Sequence, residues 1–225
     1  MILPSNIRPT NFLFDLDGTL LDTAPDLASA LNRVRAKSNL PPISFERIRS
    51  IVSHGSYALC RLGSELLEES SKFEEFRLEF LDQYARHVAR ETRLFEGMDQ
   101  LLRTLESANI PWGIVTNKPA SLTEPLLTEL GLDRRAAVVI SGDTIAQKKP
   151  HPAPLLLAAE RMHVSAGHCV YIGDAERDIA GGNAAGMRTI AVRYGYIAHD
   201  ESPDGWGAEV VVNSPSEIID WFLSF

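Results

Sequence analysis

Four short sets of residues, in order along the chain, carry side chains suited to a shared chemistry. Asp15 and Asp17 lie in FLFDLDGT, Thr116 and Asn117 follow WGIV, Lys148 and Lys149 precede PHPAP, and Asp174 and Asp178 lie in GDAERD. Carboxylates gathered in one small volume repel, and each tends to take up a proton unless something compensates. A hard divalent cation removes the conflict. Mg²⁺ favours oxygen ligands, with one or two carboxylates, water and a substrate phosphate completing its shell. The same ion would draw an anionic phosphate toward an acidic chain. A lysine opposite it would cancel further charge, the Thr116 hydroxyl would donate to a phosphate oxygen, and backbone N–H groups around Gly18 would do likewise. Such a constellation serves phosphoryl transfer, in which catalysis is mainly positioning and charge stabilisation.

These sets converge only if strands deliver them to one edge. Residues 11–15, 112–116, 136–140, 169–173, 189–193 and 209–212 are short and nearly continuous in apolar residues, as strands covered on both faces are. Between them, residues 98–108, 121–130, 153–162 and 177–186 repeat apolar residues every three or four positions, and Gly131 and Gly186 fall just past helix ends. The alternation predicts an α/β fold with a doubly wound parallel sheet. In such sheets ligands bind outside the carboxyl ends of the strands, where all four sets fall. Residues 24–93 break the rhythm. Four amphipathic helices, over 26–39, 44–53, 57–70 and 72–91, are expected there with no strand, and Ser44 is placed to cap the second through its hydroxyl.

DLDGT at 15–19, Thr116-Asn117, Lys149-Pro150 and GDAERD at 173–178 together resemble the four signature motifs of the haloacid dehalogenase (HAD) superfamily. The resemblance covers nearly the whole chain, and the helical insert is similar to a C1-type cap. It implies a Rossmann-like core of residues 1–22 and 94–225, with a cap of residues 23–93. It makes Asp15 the nucleophile that forms an aspartyl phosphate, Asp17 the general acid/base, and Thr116 and Lys149 the holders of the phosphoryl oxygens. It has Mg²⁺ bound by Asp15, the backbone carbonyl of Asp17, and Asp174, with Asp178 in support through Lys149 or water. Lys149 is preferred over Lys148 because it directly precedes Pro150. Gly18 and Asn117 join the phosphate site. Asp17 also favours phosphate-ester chemistry, since the superfamily's dehalogenases and phosphonate hydrolases lack it. The chain is most similar to the capped phosphoglycolate phosphatases, and LFEGM, WGIVTNKP, VRYGY and WGAEVVV are similar to bacterial N-acetylmuramic acid 6-phosphate phosphatases. The implied activity is that of a phosphoric monoester hydrolase on a small phosphorylated metabolite. A β-phosphoglucomutase-type mutase and a non-catalytic phosphate-binding module are the alternatives.

The remaining features bound this reading. The chain has 225 residues, 44% hydrophobic and 23% charged, enough for a packed core. Thirty acidic against 22 basic residues argue against nucleic acid as a partner. Cys60 and Cys169 read as buried free thiols. With no apolar leader at the N-terminus and no bilayer-length apolar run, a cytoplasmic protein without a membrane partner is expected. No pattern sets an oligomeric state. His54 and Ser56, in a glycine-containing break between two insert helices, are placed where a cap loop would touch substrate. Arg193 could reach a substrate carboxylate or form a structural ion pair.

Overall fold

The computed structural model describes residues 8–225. Residues 1–7, which open the expected core and part of the stretch read as lacking a leader, lie outside the described residues. The chain enters at β1 (Asn11–Phe14) and runs through a short β2 (Leu21–Asp22) into α1 (Ala24–Lys37), α2 (Phe45–Arg49), α3 (Gly55–Ser64) and α4 (Ser71–Ala85). It returns through β3 (Arg93–Leu94). Then it alternates: α5 (Met98–Ser107), β4 (Trp112–Val115), α6 (Ala120–Glu129), β5 (Val138–Ile140), α7 (Ala153–Arg161), β6 (Cys169–Gly173), α8 (Glu176–Ala184) and β7 (Arg188–Val192). The chain closes with β8 (Val210–Val212) and α9 (Pro215–Leu223).

Six strands form one parallel sheet in the order β5-β4-β1-β6-β7-β8. β1 lies between β4 and β6, with Phe14 paired to Ile114 on one side and Ile172 on the other. The winding reverses at this central trio, opening the crevice that open α/β sheets use for ligands. Every residue of β1 is buried because both faces are covered. Phe12 and Phe14 pack with Trp112, Leu101 and Phe222 on one face. Leu13 packs with Val115, Leu155 and Tyr171 on the other. That two-sided burial explains why the strand shows no alternation of polar and apolar residues.

All six predicted strands are present, and both predicted C-terminal glycines adopt positive φ, +67° at Gly131 and +72° at Gly186. Both cysteines are buried free thiols. Among the described residues no helix is long and apolar enough to cross a membrane. Some details differ from the sequence reading. The second insert helix ends at Arg49, and a 3₁₀ turn over Val52–His54 takes its place, so the insert bends earlier than its apolar pattern suggests. Ser44 makes no side-chain cap bond. α9 lies outside the helices the periodicity predicts, although Ser214-Pro215 followed by SEIIDWFL is a fair helix start. The last departure is at the insert's neck, where β2 and β3 form an antiparallel pair, Leu21 opposite Leu94 and Asp22 opposite Arg93. Two-residue strands are too short to show a period.

Asp26 closes this neck from inside. It is buried, and its carboxylate accepts the Glu91 and Thr92 N–H groups at 2.9 Å each and the Thr92 hydroxyl at 2.8 Å. The start of α1 is thereby tied to the returning chain. Asp26→Ala takes the acceptor from the buried Thr92 N–H and is expected to cost about 2 kcal/mol, with Asp26→Asn costing less. Urea unfolding of the two variants beside wild type measures both losses.

Candidate active site

Asp15, Thr116 and Asp174 leave the carboxyl ends of β1, β4 and β6, the three central strands. Lys149 reaches the same point from the loop before α7. Its ammonium lies 2.7 Å from Asp15 Oδ1, 2.8 Å from Asp178 Oδ1 and 2.7 Å from the Tyr171 hydroxyl, and it donates to the Val115 carbonyl at 3.0 Å. Asn117 forms two bonds with the Lys149 backbone, its amide donating to the Lys149 carbonyl and its carbonyl accepting the Lys149 N–H, each at 3.0 Å. Its amide therefore fixes the lysine rather than pointing only into the open site. Thr116 lies at the cavity wall, and its hydroxyl accepts the Lys118 N–H at 3.1 Å. Lys148 is exposed at the cavity mouth.

Carboxylate oxygens of Asp15, Asp174 and Asp178 all lie within 4.8 Å of one another, and all three residues are buried. Burial pushes the Asp15 carboxyl up to about 6, against the pull of Lys149 and with the push of Asp178. It pushes Asp174 up to about 7, aided by repulsion from Asp15 and Asp178. One ammonium therefore does not compensate the cluster. An all-oxygen, over-acidic donor set of this kind fits a hard divalent cation. The Asp17 carboxylate stands outside the cluster. Gly18 is held against it, with φ +91° and the place of a Cβ only 2.1 Å from Asp174 Oδ2, so only glycine passes here.

Several residues that sequence reading did not single out complete the site. Ser53, from the insert, donates to Asp174 Oδ2 at 2.8 Å, and the Tyr196 N–H donates to the same oxygen at 2.9 Å. The Tyr196 hydroxyl accepts the Thr23 and Ala24 N–H groups at 2.6 and 2.9 Å and donates to Asp22 at 2.7 Å. It caps α1 in place of Thr23, whose own hydroxyl donates to Asp17 Oδ1 at 2.6 Å. Lys118 is buried, donating to Asp17 Oδ1 at 2.8 Å and to the Tyr84 hydroxyl at 2.9 Å. Burial alone would lower its pKa, but Asp17 and Tyr84 outweigh it and hold the ammonium above the ordinary lysine value. Arg177, half-buried on α8, also lines the site. The only sequence signal for these contacts was closeness to the motifs, since the partners lie far apart along the chain.

A cavity of about 350 Å³ separates the strand ends from the insert. Asp15, Asp17, Thr116 and Lys149 line its floor, and Val52, Tyr57, Phe80 and Leu81 give the insert side an apolar wall. His54 and Ser56 line it too, with His54 Nε2 3.6 Å from Glu201. Arg193 lies elsewhere and forms an ion pair with Asp204.

The sequence pattern of the family described as haloacid dehalogenase-like hydrolase matches residues 12–192. The chain belongs to the haloacid dehalogenase-like hydrolases. This hydrolase is 43% identical over 208 residues, 92% of each chain, to the N-acetylmuramic acid 6-phosphate phosphatase of Pseudomonas aeruginosa. It is 44% identical over 210 residues, 93% of this chain and 95% of the other, to a phosphoglycolate phosphatase of Xanthomonas campestris. Among HAD hydrolases it is a phosphatase, a phosphoric monoester hydrolase. The crystal structure of a predicted phosphoglycolate phosphatase from Haemophilus somnus superposes with a TM-score of 0.85, covering 96% of this chain and 99% of that one. At 24% identity that likeness speaks for the fold alone.

The carboxyl cluster sets a pH dependence. Asp15 and Asp174 hold protons more tightly folded than unfolded, where the ordinary value is 3.8, so the stability their protonation contributes is full below about 3.8 and is lost as pH rises to about 6 for Asp15 and about 7 for Asp174. A divalent cation competes with those protons. Mg²⁺ is therefore expected to raise the melting temperature more at pH 8 than at pH 5, and Asp174→Asn is expected to shrink the difference. Thermal unfolding with and without MgCl₂ at both pH values checks this.

Proposed function

We propose that the protein is a Mg²⁺-dependent phosphatase of a small phosphorylated metabolite, acting through an aspartyl phosphate on Asp15. The observation that carries the reading is the floor of the cavity, where Asp15 is held by Lys149 within a buried acidic cluster and Asp17 opens onto the same space. Asp15, the backbone carbonyl of Asp17, and Asp174 would hold Mg²⁺, with Asp178 supporting the site through Lys149. Bound there, the ion would offset the charge of the cluster and of the phosphate.

Asp15 attacks phosphorus, forming a carboxylate O–P bond as the ester P–O bond breaks. Asp17 gives a proton to the departing oxygen, then takes one from the water that cleaves the aspartyl phosphate. Lys149 and the Thr116 hydroxyl hold the phosphoryl oxygens, and N–H groups around Gly18 add donors. The sum is ester plus water to alcohol plus phosphate. Residues 23–93 act as a cap on the core, with His54 and Ser56 facing the substrate. Closure excludes all water but the attacking one.

Relatives are named for two substrates, phosphoglycolate and N-acetylmuramic acid 6-phosphate. The cavity favours the second. At about 350 Å³ it falls among those that enclose drug-sized molecules, roughly 300–1,000 Å³. A substituted hexose phosphate fills it and meets the apolar wall, whereas a two-carbon acid leaves most of it to water. Phosphate release with Mg²⁺ on N-acetylmuramic acid 6-phosphate, 2-phosphoglycolate, hexose phosphates and nucleotides tests the reading. The first is expected to be the best substrate. Isomerised sugar phosphate without phosphate release would mean a mutase, and no turnover of any substrate would end the proposal. Asp15→Ala is expected to abolish release, and Asp17→Ala to lower it about 10²–10⁴-fold.

A further inference from the structure

Asp17 presents its two carboxylate oxygens to different surroundings. Oδ1 receives two donors, the Thr23 hydroxyl at 2.6 Å and the Lys118 ammonium at 2.8 Å. Among the described residues no donor reaches Oδ2. The Asp17 side chain is 19% exposed and lines the cavity, whereas that of Lys118 is only 7% exposed. Two donors on one oxygen fix the rotation of the carboxylate and leave the other oxygen as the one that can exchange a proton with a ligand. Lys118 is itself aimed. Its ammonium donates to the hydroxyl of Tyr84, a fully buried residue of α4, and lies 4.5 Å from the centre of the same ring.

We infer that Lys118 is a positioning residue. With Thr23 it pins Oδ1 of Asp17 so that Oδ2 faces the departing oxygen, and through Tyr84 it makes that orientation depend on the insert's being seated. Lys118 does not serve here as a further phosphate cation. It lines the cavity, but its ammonium is taken up between a carboxylate and a phenol, and Lys149 already stands beside Asp15. The inference rests on the proposed role of Asp17 as acid/base.

The two roles give different kinetics. A cation that binds phosphate affects every ester alike. A residue that aims the acid matters most when the leaving group most needs a proton. The test is kcat/KM, which covers the steps through departure of the alcohol, across substituted phenyl phosphates of similar size and graded leaving-group basicity. Wild type is expected to show a shallow dependence. Lys118→Met is expected to steepen it, losing about tenfold more on the most basic leaving group than on p-nitrophenyl phosphate, and Lys118→Arg to restore part of the loss. Asp17→Asn, run in parallel, separates the two claims. If it leaves the dependence shallow, the reading of Asp17 fails and the inference falls with it. If Asp17→Asn steepens the dependence while a folded Lys118→Met loses all substrates equally, or none, only the inference is overturned. Should circular dichroism show Lys118→Met unfolded, Tyr84→Phe, which removes one bond to the ammonium, carries the same comparison. A steeper dependence then supports the inference, and an unchanged one overturns it.

Discussion

Mutual repulsion among Asp15, Asp174 and Asp178, buried within 4.8 Å of one another, is the constraint around which the protein is organised. All three are buried, and a buried charge without a partner costs far more than an exposed one. The structure answers with groups of fixed position. These are the Lys149 ammonium between two of the carboxylates, the Ala175 N–H on Asp178, and the Tyr196 N–H and Ser53 hydroxyl on Asp174. Lys149 is clamped by Asn117, and Gly18 is pressed so close to Asp174 that no side chain fits between them. Burial and the uncompensated negative charge raise the pKa values of Asp15 and Asp174, and that charge is what suits the site to a cation.

The insert belongs to this arrangement and does not merely cover it. Ser53 reaches a carboxylate of the acidic cluster, and Tyr84 reaches the lysine beside Asp17. Arg49 donates to the Tyr194 carbonyl at 3.0 Å and lies 5.0 Å from the Tyr196 ring. The same buried apolar cluster runs from Phe12 and Phe14 in the sheet to Phe73 and Phe80 in the insert. Polar groups at the strand ends are thus held from both sides, with the cavity as the gap in an otherwise continuous contact.

The parts of this protein legible in its sequence are those written locally. Continuous apolar runs mark the six strands because the inner ones are buried on both faces, and a polar residue just past such a run marks a strand end. The convergence of Asp15, Thr116 and Asp174 followed from that rule, whereas Lys149 comes in from the loop before α7. Illegible were the partnerships made by folding across long separations. Ser53 meets Asp174 from 121 residues away, and Lys118 meets Asp17 from 101. No periodicity encodes such a meeting. Asn117 shows the intermediate case, since its place at the site was evident but its hold on the Lys149 backbone appears only once the two loops are side by side.

The paired strands at the insert's neck have a mechanical consequence. The chain crosses between core and insert twice, and β2 and β3 join those crossings as one two-stranded ribbon. Sliding one crossing past the other would break the pairing of Leu21 with Leu94, whereas bending or twisting the ribbon as a whole keeps it. A rotation that carries the ribbon as one piece is therefore the displacement of the insert that leaves these pairs intact, and the ribbon starts beside Asp17 and ends at the capped start of α1.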